Sequence, residues 1–402
     1  MESRLLYFPD YAKFKQYFDN KQVRKTSHLL HGKAKKLVIP VRQAATQQQQ
    51  QQQRDPIKVT LQMTSESQSE VERAGAKDKR QKALKRKAGE SQINDAAPFE
   101  FQVSNLGPDY TDLTRTRLHV KVKVTQTDGT ALAKDENVAP VNLFMQSLFS
   151  QVTVYLQNQL VSSTNNHYAY KSMMRALLGY GAEAKNTQLG TQLFARDYAE
   201  SEVDLESSDV TGSVNGEMAL RGTFIALSKE LTMSVPVYED IFDMNRLLPN
   251  DVCKVKVNPA LILAHNTLFK KSNALYPYTK SEVKVTSIPT TQQTHTIDNV
   301  SNPVANRYVV GLVESSSLNG SYTVNPYNFK SFMLKKITLY IDGVSVPGQP
   351  AEVDDVASYV NMLDGMGLWK EDKGNAITRS EFLMGNALFA FDIDTMCRSQ
   401  ST

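Results

Sequence analysis

A chain of 402 residues with 41% hydrophobic content and two cysteines is long enough for two or three domains. It cannot build a disulfide framework or a four-cysteine zinc site by itself. Its net charge of +4 hides an asymmetry. Residues 1–98 hold 20 Lys and Arg against 10 Asp and Glu, and the remainder holds 26 against 32, so a basic segment of about +10 precedes a body of about −6.

The first 96 residues read as a disordered, basic, Gln-rich leader. "MESRLLYFPDYAKFKQYF" lacks the apolar core and small-residue cleavage site of a signal peptide. The tract Gln47 to Gln53 offers no apolar face to bury. "AGAKDKRQKALKRKAGE" gathers Lys77, Lys79, Arg80, Lys82, Lys85, Arg86 and Lys87. Clustered cations of this kind suit nuclear import or contact with nucleic-acid phosphates, and equally a solvated tail.

From Phe99 the texture becomes β-like. "PFEFQV" alternates, and so does Arg117 to Gly129, where Leu118, Val120, Val122 and Val124 share one face opposite His119, Lys121 and Lys123. Asp128-Gly129 supplies a turn. Val138–Phe149 then shows helical spacing at Val141, Phe144, Met145 and Leu148. After "QVTVYLQ" (151–157), a second helix is predicted from Asn166 to Tyr180, with Thr164 or Asn165 as cap and Gly179 or Gly181 as stop. Strands follow at "MALRGTFIAL" (218–227), "LTMSVPV" (231–237), "CKVKVNPALILA" (253–264), "SEVKVTSI" (281–288), "RYVVGLVES" (307–315), "FMLKKITLYIDG" (332–343) and "ALFAFDID" (387–394). Many strands with few helices between them predict an all-β architecture with helical insertions, in which residues 97–402 form one complete sandwich and part of a second.

Chemistry-bearing motifs are missing. No phosphate loop, dinucleotide fingerprint, nucleophile elbow or HExxH sequence is present. His28 and His31 stand three apart in the leader, a weak metal signal. His119 is expected to face solvent, and His167 to make an ordinary hydrogen bond near a helix start. Glu352, Asp354 and Asp355 lack the pattern of a calcium loop and read as a solvated acidic stretch. Trp369 is expected to anchor its loop on the core, with a subunit contact as the second reading. Cys253 and Cys397 read as free thiols of a reducing compartment. No run of about 18 apolar residues marks a membrane helix. Neither an enzyme nor a cofactor is expected.

Extended blocks carry a resemblance. "FEFQVSNLGPDYTDLTRTRLHVKVKVTQTDGT" with "NVAPVNLFMQSLFSQVTVYLQNQLVSSTNNHYAYKSMMRALLGYGAEAKNTQLGTQLFARD" resembles the first jelly roll of the major capsid (hexon-like) proteins of Polinton/Maverick elements and adintoviruses. "ALSKELTMSVPVYEDIFDMNRLLPNDVCKVKVNPALIL", "VVGLVESSSLNGSYTVNPYNFKSF", "ITLYIDGVSVPGQP" and "ITRSEFLMGNALFAFDI" follow in the family's order, so the likeness spans about residues 97–394. The resemblance implies a double jelly roll, divided here into a leader (1–96), a first roll (97–290) with a helical insertion (138–181), and a partial second roll (305–402). It implies trimeric capsomers of an icosahedral shell, with other capsid proteins and, through the basic arm, DNA as partners. No membrane partner is implied. Residence is expected in the virion, or in the nucleus or cytoplasm of a host cell. The family continues past the "LFAFD" strand and lacks the glutamine tract, so a truncated, host-integrated copy is the expectation. Two alternatives stand beside it: a minor, penton-like capsid protein, and a nucleic-acid-binding β-sandwich protein that uses the arm.

Overall fold

The structure, a computed structural model, describes residues 3–17, 34–40 and 57–64 and, with short interruptions and a longer one at 198–215, residues 110–393. Sixteen strands are described, and every pair of them is antiparallel. In the largest sheet β1 (Ser3–Tyr17) is central. One edge of β1 takes β10 (Leu275–Ser281) and β11 (Lys284–Ile288). Its other edge takes β13 (Arg307–Glu314), and β16 (Leu388–Asp392) lies outside that. A second sheet places β2 (Ala34–Pro40) between β12 (Thr294–Ser301) and β14 (Lys336–Ile341), with β15 (Val344–Glu352) beyond β14. In the third, β5 (Arg117–Gln126) is flanked by β3 (Ile57–Thr64) and β8 (Leu231–Pro236). Two short ribbons complete the set: β4 (Tyr110–Thr111) with β9 (Lys254–Val255), and β6 (Tyr155–Leu156) with β7 (Gln159–Leu160).

This topology corrects the expectation of a wholly disordered leader. Three of its segments are strands, each built into a different sheet. Their sequences explain it. "IKVTLQMT" alternates at period two, and its register sets Val59, Leu61 and Met63 opposite Val124, Val122 and Val120. Cations and glutamines around these segments dominate the composition and mask them. Both the glutamine tract and the basic cluster lie outside the described residues. The interval 291–304 between the two expected rolls does not separate sheets, because β1 joins β10 and β11 on one side to β13 on the other.

The alternating strand Arg117–Gln126 forms as predicted. Val120, Val122 and Val124 are buried while Lys121 and Lys123 are exposed. Gly129 closes the strand at φ +85°, and the Asp128 carboxylate accepts bonds from the Thr130 N–H (2.8 Å) and hydroxyl (2.7 Å). Helices differ more from expectation. The predicted helix Val138–Phe149 shrinks to one turn, α1 (Phe144–Ser147). Pro140 precedes it, Leu143 is left-handed (φ 49°), and Asn142 Oδ1 accepts the Leu143 N–H, which takes that donor out of helical bonding. The second helix stands nearly as predicted, as α2 (Tyr168–Gly179). Its cap position is His167 without a side-chain bond, and Asn165 instead donates to the Val283 carbonyl.

After α3 (Ala182–Asn186) comes α4 (Gly216–Thr223), where a strand was predicted. A second predicted strand yields only β9 and then α5 (Pro259–Phe269). Pro259 stands at the first helical position, where its missing N–H costs no intrahelical bond. The remaining helices are α6 (Ser315–Leu318), α7 (Ala357–Gly365) and α8 (Arg379–Phe382). The fold is therefore β-rich with helices distributed along the chain.

Apolar residues collect in three clusters. The largest joins β13, β14 and β16 to the inner face of α2 and to Met362 of α7. The second lies on the third sheet, where Val120, Val122, Val124, Met233 and Val235 meet Phe144 and Met145. A small third cluster gathers Leu113, Ile241, Met244 and Tyr276. Burying a side chain of this size contributes about 1.5–3 kcal/mol. The two larger clusters therefore supply most of the apolar drive, and α2 and α1 stand between them.

Candidate functional site

Helix α2 carries a cation into this interior. Its stripe of Tyr170, Met173, Met174, Leu177 and Leu178 faces the core, and Lys171, one position round from Tyr170, is buried with them. The Lys171 ammonium donates to Glu239 Oε2 at 2.9 Å and to Asp240 Oδ2 at 3.0 Å. The side chains of all three residues are less than a tenth exposed. Asp240 opens the 3-10 turn Asp240–Asp243 and is held from its other side by β10. The Ser281 N–H donates to Oδ2 (2.7 Å) and the Ser281 hydroxyl to Oδ1 (3.0 Å).

Around this cluster the Tyr238 N–H donates to the Tyr168 hydroxyl (3.1 Å), and Gln192 Nε2 donates to the Tyr238 hydroxyl (2.7 Å). Arg175 pairs with Asp243 and lies over the Tyr238 ring. Burial pushes the Glu239 carboxyl above its ordinary range. Lys171 opposes that shift and the charge of Asp240 adds to it. Burial likewise raises the Tyr168 and Tyr238 hydroxyls.

A second polar group ties α2 and α3 to the chain near α8. Lys185 donates to the carbonyls of Leu177 and Asn375. Its amine is pushed down to about 7 by burial, then by Arg196, with Glu381 opposing. Arg196 bonds the Ala376 carbonyl and Glu381. Glu381 also closes a capping box with Thr378 at the start of α8. Nearby, buried Arg221 of α4 donates to the carbonyls of Pro140 (2.9 Å) and Ala195 (2.6 Å) and to Asp197 Oδ1 (2.7 Å), and Asn325 donates to Asp197 Oδ2 (3.1 Å). The cavity beside Asp197 and Asn325 is about 10 Å³, room for about one water and not for an organic substrate.

Apolar surface is also exposed in places. On α5, Leu261, Leu263, Leu268 and Phe269 face outward, and none of its eleven residues is charged. The ribbon β6–β7 exposes Tyr155 and Leu160. Trp369 is 60% exposed beside a surface hollow of about 460 Å³ that Tyr359, Leu363 and Ile377 help to line. This corrects the expectation that Trp369 anchors its loop in the core. The indole lines that hollow from its open side and stays largely in solvent.

The residues singled out from sequence are scattered. Lys77, Lys79, Arg80, Lys82, Lys85, Arg86 and Lys87 lie outside the described residues, as do His28, His31, Cys253, Cys397, Asp354 and Asp355. His119 is 3.5 Å from the Ser234 hydroxyl. Glu352 is exposed and pairs with Lys336 at 3.3 Å. His265 of α5 meets the Tyr110 hydroxyl at 2.7 Å. Among the described residues no group of three or more His, Cys, Asp or Glu is arranged to hold a metal, and no helix is long and apolar enough to cross a membrane. Lys171, Glu239 and Asp240 were not foreseen, because no local pattern joins residues 68 and 69 positions apart.

The chain is similar to the uncharacterized protein F54H12.2 of Caenorhabditis elegans, with 24% identity over 357 residues that cover 76% of this chain and 82% of that protein. No protein-family model matches the chain, and no solved structure matches it.

Proposed function

We propose that the chain is a structural subunit of a virus-like shell, a double jelly-roll capsid protein of the Polinton/Maverick and adintovirus type. In this reading it works by shape and by contact with further copies of itself, as a trimer. The observation that carries it is the antiparallel pairing of every described strand pair, together with two large apolar clusters lined by such sheets. Jelly rolls are antiparallel by construction. Two further features support it. Apolar side chains are exposed on α5, on β6–β7 and around Trp369, and obligate subunit interfaces are apolar and large, upward of about 2,000 Å². The buried polar groups join elements to one another, and the cavity among them holds no substrate-sized volume.

Light scattering and negative-stain electron microscopy of the purified full chain test this reading. Trimers, or larger assemblies built from trimers, are the expected result. A monodisperse monomer that stays monomeric on concentration would overturn it.

A further inference from the structure

The Lys171 cluster has the parts of a reaction and not only of an ion pair. It holds a primary amine, a carboxyl group with polarised oxygens, and a second carboxyl group in contact with the amine, all enclosed. We propose that Lys171 and Asp240 condense within the folded chain to form an isopeptide bond, with Glu239 moving the protons.

Three observations carry the assignment. Lys171 Nζ is 3.0 Å from Asp240 Oδ2, so the amine is held against the carboxyl group whose carbon it would attack. Both Asp240 oxygens accept hydrogen bonds from Ser281, at 2.7 Å from its N–H and 3.0 Å from its hydroxyl, and these donors stabilise the charge that develops when the amine adds. Glu239 Oε2 is 2.9 Å from the same nitrogen, and burial raises its carboxyl above the ordinary range, which makes the carboxylate a stronger base. That makes it an acceptor for the ammonium proton.

The step balances without any co-reactant. Glu239 takes a proton from the Lys171 ammonium and passes it to Asp240. The freed amine adds to the Asp240 carboxyl carbon, forming the C–N bond. Glu239 then takes a second proton from the nitrogen and returns it to the departing oxygen as the C–O bond breaks. One ammonium and one carboxylate become one amide and one water, and Glu239 ends as it began. Burial favours the product, because the two ions are costly in the interior and the neutral amide is less so. Reversal requires water to return to an enclosed site. The bond joins α2 to the turn before β10 across 69 positions of chain. It constrains the unfolded chain as a disulfide does, in a protein whose cysteines are far apart in sequence.

Intact mass spectrometry of the denatured full chain is the test, followed by digestion and tandem sequencing. A mass one water below that of the sequence is expected, with a branched peptide joining Lys171 to Asp240. A full-mass chain whose Lys171 is acetylated in denaturant like other lysines overturns the proposal. K171R keeps the charge but is expected at full mass. D240N offers an amide in place of the acid, so it is expected to lose one ammonia instead of one water, which identifies residue 240 as the acyl partner. A branch at Glu239 overturns that assignment. E239Q is expected to fold, as judged by circular dichroism, and to remain at full mass. Loss of water persisting in E239Q removes Glu239 from the mechanism. Should a variant not fold, the wild-type mass and branched peptide still decide.

Discussion

Helices α2 and α5 differ in a way opposite to their compositions. Nine of the twelve α2 residues are buried, including Lys171 and Ser172, whereas α5 has no charged residue and exposes three leucines and a phenylalanine. Hydropathy alone would bury α5 and leave the cation of α2 in water. What separates them is the availability of partners. Glu239, Asp240 and Ser281 complete the polar positions of α2, while the sheets cover its apolar stripe. A helix settles where its whole surface is matched, and an apolar helix without a matching surface stays outside.

Breaking the α2 side should have the largest effect. Lys171→Met leaves two buried carboxylates without their cation and is expected to lower unfolding free energy by about 3–5 kcal/mol in denaturant titration. Leu177→Ala removes a side chain that is 1% exposed and should cost about 2–5 kcal/mol in the same assay. If Lys171→Met costs less than Leu177→Ala, the polar contacts of α2 matter less than its stripe.

A finer test uses pH. The Lys185 amine is lowered from 10.5 to about 7 in the folded chain, so between these values the unfolded chain binds a proton that the folded chain has released. Stability should therefore rise with pH across that window, by up to about 1.4 kcal/mol per unit. In Lys185→Met that component of the slope should vanish. A slope unchanged in the variant would show that the α2–α3 end is not tuned by this amine.

The smallest effect on stability is expected on α5. Leu263→Ser, at a position 68% exposed, should change unfolding free energy by no more than about 0.5 kcal/mol. Under the proposed shell function it should also shift the light-scattering mass toward monomer. A large loss of stability with no change in mass would mean that α5 packs within its own chain.

Much of the β framework was legible, and the reason is local. Alternation at Val120, Val122 and Val124 and the dense apolar run of β13 reveal strands without help from distant residues. The spacing of Tyr170, Met173, Met174 and Leu177 likewise revealed α2. Segments with mixed signals were misread. "MALRGTFIAL" was read as a strand, yet Leu220, Phe224 and Leu227 are separated by helical intervals. In "CKVKVNPALILA" the short strand hid the start of α5 at Pro259. The leader strands were missed because flanking glutamines and cations outweigh fifteen- and seven-residue segments in any compositional reading. Of the buried triad nothing was visible, since its members meet only after α2, the Asp240 turn and β10 have packed together.

The placement of β1 imposes an order on biosynthesis. Its neighbours on both edges are residues 275–288 and 307–314, which leave the ribosome about 260–310 positions later. Until then the largest sheet lacks either its middle strand's partners or a template to zip upon, and two hydrogen-bonding edges remain open to any other strand. Both edges of β1 are therefore closed only once residues up to 314 have been made.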